Sequence, residues 1–274
     1  MTDSVPPAHP FDLATRLEPE GEHVFRARTS PDYANMVGPF GGVTAATMLN
    51  AVWSHPQRQG EPIALTVNFA GPLEEGDFVV TARPARTNRS TQHWTIDIVQ
   101  GGQVAATATA VFAVRRETWS STEAEFPTVP PASAVESASH RIRAAWPRCY
   151  DMRFVRGPLS LDTEHDTATD SVSTLWIRDE PPRPVDFVSL TALCDAFFPR
   201  IFVRRPKWVP IGTVTLTVYY HCDASMLAAH GERELLGTAR ALQFRNGYFD
   251  QTAEVWSPAG ELFATTHQAV YYRE

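Results

Sequence analysis

Cysteine is scarce in this chain of 274 residues, which contains three in all. Cys149, Cys194 and Cys222 lie far apart and form neither a Cys-x-x-Cys pair nor a zinc-ligand spacing. An odd number of widely spaced cysteines argues against a disulfide framework and against a cysteine metal site. The sequence therefore implies no metal and no redox cofactor.

Lysine is also scarce, because Lys207 is the only one, and acidic residues outnumber basic residues by 31 to 24, which gives a formal net charge of −7. Phosphate backbones need a basic surface, so this balance excludes nucleic acid as a general partner. No run of about 18 apolar residues occurs, and no membrane span is expected. The N-terminus lacks the basic and apolar regions of a signal peptide, so we expect a cytoplasmic protein.

A third absence is the Gly-x-Ser-x-Gly motif, the elbow that carries the nucleophile of many serine hydrolases. His221 and His267 resemble candidate bases for such an enzyme. Neither has a serine or cysteine nucleophile at a recognisable elbow. These residues therefore do not identify a hydrolase with a covalent intermediate.

What the chain does contain is an internal repeat, in which each copy has an apolar helix, a strand and a closing strand. The segments are 41–53, 64–69 and 103–112 in the first copy, and 187–198, 215–220 and 261–272 in the second. Aligning Ala106-Thr107 with Ala264-Thr265 puts Ala110 at the position of Gln268. A duplication that kept polar chemistry in one half explains this asymmetry.

Composition divides the chain into four parts. Residues 1–20 are polar and rich in proline, as is typical of a tail, and residues 118–148 have the Pro-, Ser- and Thr-containing composition of a linker. The linker falls between the two copies. We therefore predict two similar units, an N-terminal one over 21–117 and a C-terminal one over 149–274.

The distribution of helices and strands predicts an α+β fold. Several strands follow each apolar helix without further helices between them, which favours an antiparallel sheet. Residues 43–53 are apolar almost all round, and a helix without a charged face must be enclosed. A long apolar helix wrapped by a curved antiparallel sheet is the hotdog architecture, and two copies in tandem predict a double hotdog.

Short motifs in both halves carry a resemblance to a known family. They are Gly38-Pro39-Phe40-Gly41-Gly42, Leu175-Trp176-Ile177-Arg178, Ile211-Gly212-Thr213, Val218-Tyr219-Tyr220-His221 and Thr265-Thr266-His267-Gln268. In order and spacing they resemble the acyl-CoA thioesterase II family of double-hotdog thioesterases. That family opens its first central helix with Phe-Gly-Gly and ends its last strand with a Thr-Val-Gln motif.

The resemblance implies a thioester hydrolase with an acyl-CoA substrate. The family's functional trio is an aspartate on the second central helix, a threonine on the next strand and a glutamine on the last strand. The matching positions are Asp195, Thr213 and Gln268. Asp195 would be the general base, and Thr213 and Gln268 would position the attacking water. A homo-oligomer, a dimer of double hotdogs, is the expected assembly.

The residues around Asp195 fit this role. Asp195 lies between Cys194 and the apolar run Ala196-Phe197-Phe198, within the predicted helix 187–198. Burying a carboxylate there is costly without hydrogen bonds and raises its pKa, which suits a general base. The alternative is an exposed aspartate at a helix end near Pro199.

Gln268 shares one strand face with Ala264, Thr266 and Val270. A glutamine on a face that packs against a helix needs hydrogen-bond partners. It could accept a hydrogen bond from a catalytic water and donate one to Asp195. The alternative is an outward-facing strand glutamine.

Thr213 has a weaker pattern. Strict alternation puts it on one face with Thr215 and Thr217, opposite the apolar face of Val214 and Leu216. An inward Thr213 therefore requires a bulge or a strand end beside Gly212. A surface threonine is the alternative.

Two groups are candidates for substrate binding. Gly41 and Gly42 could polarise the thioester carbonyl through backbone N–H groups at a helix start, although simple turn glycines are the alternative. Arg204 and Arg205, with Lys207, form a basic cluster that could meet the phosphates of CoA. The alternative for the cluster is a solvated surface.

Two other functions remain open from the sequence. A hotdog hydratase or dehydratase would need a catalytic histidine paired with an acid at a central helix, and neither predicted helix contains a histidine. A non-catalytic acyl-CoA or lipid-binding protein would keep the fold and lose the chemistry, and fold alone does not separate it from an enzyme.

Overall fold

The computed structural model describes residues 8–138, 144–159, 168–205 and 207–274. Five α-helices lie in these ranges. They are α1 (Pro10–Ala14), α2 (Gly41–Trp53), α3 (Phe187–Leu193), α4 (Arg200–Arg204) and α5 (Ala224–His230). No helix in the described ranges is long and apolar enough to cross a membrane. Residues 1–7 of the expected tail and 139–143 of the expected linker lie outside the described residues.

Strands account for most of the regular structure. They are β1 (Glu18–Pro19), β2 (Val24–Arg28), β3 (Glu61–Phe69), β4 (Asp77–Thr87), β5 (Thr91–Gln100), β6 (Gln103–Ala113), β7 (Tyr150–Arg156), β8 (Ser173–Asp179), β9 (Ile211–Tyr220), β10 (Leu235–Arg240), β11 (Phe244–Arg245), β12 (Tyr248–Trp256) and β13 (Leu262–Tyr272). They form one sheet in the order β1-β2-β4-β5-β6-β3-β9-β13-β12-β10-β8-β7, with β11 pairing to β12.

The two halves of the chain meet at the antiparallel pair β3–β9, which we call the seam. Strands β1 to β6 belong to the half that contributes β3 to the seam. Strands β7 to β13 belong to the half that contributes β9. At its centre Thr66 pairs with Thr217, and their hydroxyl oxygens are 3.1 Å apart. Two like halves joined in one antiparallel sheet confirm the predicted α+β double hotdog.

The strand register agrees with the alignment of the two copies. Leu65 and Leu216 each precede one of the two seam threonines and so occupy equivalent positions. Ala110 is the partner of Leu65 on β6, and Gln268 is the partner of Leu216 on β13. Ala110 and Gln268 are therefore structural counterparts.

Helix α2 occupies the interior because it is apolar on every side. All its residues from Gly42 to Val52 except Asn50 are buried. Helix α3 packs against it and begins with a capping box, in which the Asp186 side chain accepts from the backbone N–H of Ser189 at 2.8 Å. Helix α3 ends at Leu193, earlier than the sequence predicted.

The expected tail and linker both pack against the sheet or core where they are described. Residues 10–14 form α1. The apolar side chain of Phe11 is buried in the core, where its ring lies 6.0 Å from the ring of Tyr33, measured between centroids. In the linker, Phe126 packs on Trp256, and the indole N–H of Trp176 donates to the carbonyl of Pro130 at 2.9 Å. The linker thus covers part of the C-terminal half.

Candidate active site

Asp195 lies in the turn after α3, whereas the sequence predicted a place within the helix. Its backbone N–H donates to the carbonyl of Ala192 at 3.1 Å. Asp195 is 9% exposed, so the alternative of an exposed aspartate is wrong.

Gln268 is the side-chain partner of Asp195. Its Nε2 donates to Oδ1 of Asp195 at 2.8 Å, and this hydrogen bond is buried. Gln268 lies on the inner face of β13 and is 3% exposed, so it does not face outward. Its counterpart Ala110 has no group that could make such a bond.

The surroundings of Asp195 have opposing effects on its ionisation. Burial raises the pKa of Asp195 from 3.8 to about 7, and the Gln268 hydrogen bond and the backbone N–H of Gly42 each lower it. The positive end of the α2 dipole also favours the ionised form. A carboxylate with a pKa near 7 is partly ionised at neutral pH and can accept a proton from water.

Gly41 and Gly42 open α2 and allow it to approach the Asp195 turn. A Cβ on Gly41 would lie 2.7 Å from Oδ2 of Asp195, and a Cβ on Gly42 would lie 2.6 Å from the carbonyl oxygen of Ala192. Both contacts are too short for a side chain. Because the first N–H groups of a helix have no intrahelical acceptor, they are free to face the carboxylate or a substrate.

Thr213 is brought to the inner face by a bulge in β9. The β9–β13 register shifts so that Ala269 pairs with Thr215 and Val270 pairs with Thr213, which leaves Val214 unpaired. Paired residues share a face, so Thr213 lies on the same face as Val270 and Gln268. Diagonal neighbours on one face have Cα atoms about 7–8 Å apart, which leaves room for a water between Thr213 and Gln268.

Arg204 and Arg205 line a surface cavity of about 350 Å³ together with Ile201, Phe244 and Tyr272. Arg204 donates to the carbonyl of Ala168, and Arg205 forms an ion pair with Glu274. Lys207 is exposed and does not line this cavity. Tyr272 is four residues beyond Gln268 on β13, and this spacing corresponds to about 13 Å.

Sequence reasoning missed Gln251 and Arg200. Gln251 is the direct cross-strand partner of Gln268, and its Oε1 accepts from Nε of Arg200 at 2.9 Å. Both side chains are buried, Arg200 completely. The signal in the sequence was a glutamine at the inner position of a strand whose neighbours Phe249 and Ala253 are apolar.

In the part of the chain that the structure describes, histidine plays no part around the carboxylate. Neither α2 nor α3 contains a histidine, and among the described residues none hydrogen-bonds to Asp195. Within those residues no group of three or more His, Cys, Asp or Glu side chains is placed to hold a metal ion. The acid therefore works with an amide, unlike the histidine–acid pair of the hydratase alternative.

Two family models match the chain. The model of the acyl-CoA thioesterase N-terminal domain matches residues 30–113, and that of the acyl-CoA thioesterase C-terminal domain matches residues 123–272. Together they span the seam and every residue of the site described above. A comparison with curated proteins gives no match.

Solved structures with the same architecture include a hotdog-fold protein of unknown function from Alicyclobacillus acidocaldarius. It is 50% identical, with a TM-score of 0.92 over 97% of this chain and 99% of that chain. An acyl-CoA thioesterase II from Mycobacterium marinum is 17% identical, with a TM-score of 0.76 over 96% of this chain and 98% of that chain. At that identity the second likeness shows the fold alone.

Proposed function

The chain belongs to the acyl-CoA thioesterase family, and on that premise we propose that it hydrolyses acyl-CoA thioesters by direct attack of water, with Asp195 as the general base. The observation that carries this proposal is the buried hydrogen bond between Gln268 and Asp195 at the start of α2. It combines a proton acceptor, a polar partner and the donor end of a helix in one place.

The first step is removal of a proton from water. Asp195 accepts this proton while the water oxygen attacks the thioester carbonyl carbon. The pKa of about 7 supports this role, because the carboxylate is ionised in part at neutral pH and basic enough to hold the proton.

Gln268 and Thr213 orient that water. Gln268 uses Nε2 to hold Asp195, so its Oε1 remains as an acceptor for one hydrogen of the water. The hydroxyl of Thr213, on the same inner face, supplies a further contact. Holding the water in line with the carbonyl carbon removes most of the entropic cost of the encounter.

The negative charge that develops on the carbonyl oxygen needs donors. The backbone N–H of Gly41 supplies one, because it lies at the positive end of α2 and has no acceptor within the helix, while the N–H of Gly42 holds the Asp195 carboxylate beside it. The intermediate then collapses, the C–S bond breaks, and Asp195 returns its proton to the thiolate sulfur. The products are the free acid and CoA.

The cavity beside α4 supports binding of the CoA phosphates. Arg204 and Arg205 give it positive charge, and the aromatic rings of Phe244 and Tyr272 offer a surface for the adenine. Its offset from Gln268 along β13 suits a substrate whose thioester and phosphates are joined by an extended arm.

We also propose a cytoplasmic homodimer that acts in lipid metabolism. The outer face of the sheet supports the dimer, because a row of exposed or half-buried side chains without acidic residues, lysine or arginine crosses its centre. The row consists of Thr109, Thr66, Thr217 and His267 on β6, β3, β9 and β13. Light scattering at micromolar concentration should give twice the mass of the chain, and a monomer would contradict the dimer.

The direct test of the proposed function is release of free thiol from a panel of acyl-CoA esters of increasing chain length. Turnover that requires Asp195 separates an enzyme from a non-catalytic binding protein, which would bind the esters and release no thiol. Absence of turnover across the panel, with binding retained, would favour the binding protein.

A further inference from the structure

Arg200 is a buried cation, and none of the described carboxylates pairs with it. It is 0% exposed, and its Nε donates to the carbonyl of Phe198 and to Oε1 of Gln251, both at 2.9 Å. Its Nη1 donates to the carbonyl of Ser171 at 3.0 Å. These three acceptors are carbonyl oxygens, and together they hold the guanidinium in one orientation.

Arg200 dictates the orientation of the Gln251 amide. A guanidinium only donates, so Gln251 must turn Oε1 towards Arg200 and Nε2 away from it. At the other side of the site, an ionised carboxylate only accepts, so Gln268 must turn Nε2 towards Asp195 and Oε1 away. Two glutamine amides are therefore fixed from opposite ends.

The two glutamines are direct partners on neighbouring strands. Gln251 on β12 pairs with Gln268 on β13, and direct partners in an antiparallel pair have Cβ atoms about 4.5–5.5 Å apart. Gln251 is 2% exposed and Gln268 is 3% exposed. Among the described residues, neither Nε2 of Gln251 nor Oε1 of Gln268 has a hydrogen-bond partner. A free donor thus lies beside a free acceptor.

We propose that Gln251 is a positioning residue of the active site, the link in a one-directional chain of hydrogen bonds from Arg200 through Gln251 and Gln268 to Asp195. Its Nε2 donates to Oε1 of Gln268 through one bridging water. That oxygen has two lone pairs and can also accept from the catalytic water. The effect on turnover rests on the proposed function, whereas the effect on ionisation does not.

This chain of hydrogen bonds favours the ionised, basic form of Asp195. A proton on Oδ1 of Asp195 would need an acceptor, which Gln268 could offer only by turning its amide over. Gln251 opposes that turn, because it would bring two amide donors together. In the first half of the protein, Trp94 and Ala110 occupy the places of Gln251 and Gln268, so these two positions cannot form a matching series of hydrogen bonds.

Other titratable groups lie near Asp195 and must be told apart from it. Cys194 in the same turn and Tyr150 on β7 both interact with its charge, and burial raises the pKa of each well above its usual value, so both stay neutral. Helix α2 contributes no titratable group, and α4 contributes Arg200. Asp179 on β8 pairs with Tyr150, and burial raises its pKa to about 7 as well.

The experiment is a carboxyl ¹³C NMR titration of protein labelled at aspartate, without substrate. The Asp195 signal is assigned by its loss in Asp195→Asn, which separates it from Asp179. In Gln251→Met the Gln268 amide is free to turn and release Oδ1 of Asp195, so the midpoint of Asp195 should rise by about one pH unit, the size of effect that one hydrogen bond to a carboxylate has. In thiol-release assays kcat should fall about tenfold with KM little changed.

The matched control is Gln92→Met. Gln92 is an equally buried glutamine, 2% exposed, on the equivalent strand β5, where it bonds to Trp94 and lies outside the site. It should leave the Asp195 midpoint unchanged. Gln251→Glu is the second variant, because it keeps an acceptor for Arg200 and presents an oxygen to Gln268; it should raise the midpoint at least as far as Gln251→Met.

An unchanged midpoint in both Gln251 variants, or an equal rise in Gln92→Met, overturns the proposal. If Gln251→Met does not fold, the Gln251→Glu titration decides. A shifted midpoint in a protein that releases no thiol from any acyl-CoA would support the chain and contradict the proposed function. The two failures are therefore distinguishable.

Discussion

At the scale of single residues, the chemistry depends on a carboxylate that is buried but not isolated. Burial raises the pKa of Asp195 to about 7, and the Gln268 hydrogen bond keeps it from rising further. A fully solvated aspartate would be too weak a base, and an unpartnered buried one would stay protonated. The pair of Asp195 and Gln268 gives a base that works near neutral pH.

The first prediction tests this pair. Asp195→Asn keeps the shape and removes the proton acceptor, so kcat should fall by roughly 10²-fold or more while KM changes little. Gln268→Ala should also lower kcat, because the water loses its acceptor. Ala110→Ser, at the counterpart position, is the control and should keep near-normal turnover. Near-normal kcat in Asp195→Asn would move the chemistry to another residue.

The second prediction concerns stability and pH. Asp195 has a pKa of 3.8 when unfolded and about 7 when folded, so between these values the unfolded chain releases a proton that the folded chain keeps. The stability of the folded state therefore falls as pH rises from about 4 to 7. At about 1.4 kcal/mol for each tenfold change in ionisation constant, the loss is about 4 kcal/mol.

Asp195→Asn removes this loss. The free energy of unfolding of the variant, relative to the natural chain, should increase from pH 4 to pH 7 and then level off. Urea unfolding across that range measures it, and the contribution of Asp179 cancels because both proteins contain it. A stability difference that does not change with pH would mean that folding does not raise the pKa of Asp195.

At the scale of elements, the start of α2 fits against the end of α3 only because Gly42 has no side chain. A Cβ there would lie 2.6 Å from the carbonyl oxygen of Ala192 and 2.5 Å from the ring of Phe40. The two helix ends would have to separate, which would draw Gly41 away from Asp195. Close packing of the two ends thus serves both stability and chemistry.

The third prediction follows from that contact. Gly42→Ala should lower the free energy of unfolding by about 1–3 kcal/mol, as overpacking does, and should reduce kcat as well. Gly71→Ala is the control, because a Cβ on Gly71 would meet nothing within 4 Å. Urea unfolding and thiol release measure both effects. Equal stability of the two variants would contradict the close contact.

The helices and strands also show how much of the fold could be predicted from the sequence. Apolar composition predicted α2 over its full length, because a helix with no polar face must be buried in the interior of the protein. Strand alternation put Thr213 on the outer face, and only the bulge at Val214 reverses it. A bulge leaves little signal in a single sequence, because it depends on which residues pair across strands.

The site shows the same limit. The sequence identified Asp195 and Gln268, since a polar residue in an apolar segment is conspicuous. It missed Gln251 and Arg200, whose importance comes from a cross-strand pair and a hydrogen bond between distant segments. It also extended α3 beyond Leu193, because apolar residues continue past the point where the helix gives way to the turn.

At the scale of the whole molecule, the candidate site belongs to neither half alone. Gly41 and Gly42 come from the N-terminal half, whereas Asp195 and Gln268 come from the C-terminal half. The seam between β3 and β9 joins the two halves in a single sheet and so keeps these groups close to one another. Residues of the linker, including Phe126, pack on the C-terminal half and belong with it.

The fourth prediction uses this division. Fragments 1–121 and 122–274, expressed separately, should release no thiol from acyl-CoA, and co-expressed fragments that re-form the seam should regain activity. The same co-expression with Asp195→Asn in the second fragment is the control and should stay inactive. Activity in fragment 122–274 alone would mean that the glycine pair is dispensable.

The unequal halves also constrain how this protein can have evolved. Where the N-terminal half opens its helix with Gly41-Gly42, the C-terminal half has Phe187-Val188, and where the C-terminal half has Gln268, the N-terminal half has Ala110. Each copy lacks what the other has, so of the two centres related by a twofold rotation that a symmetric ancestor would contain, one remains. Such reciprocal losses are hard to reverse, because no single substitution would give either copy a complete site of its own. The duplication has become obligatory.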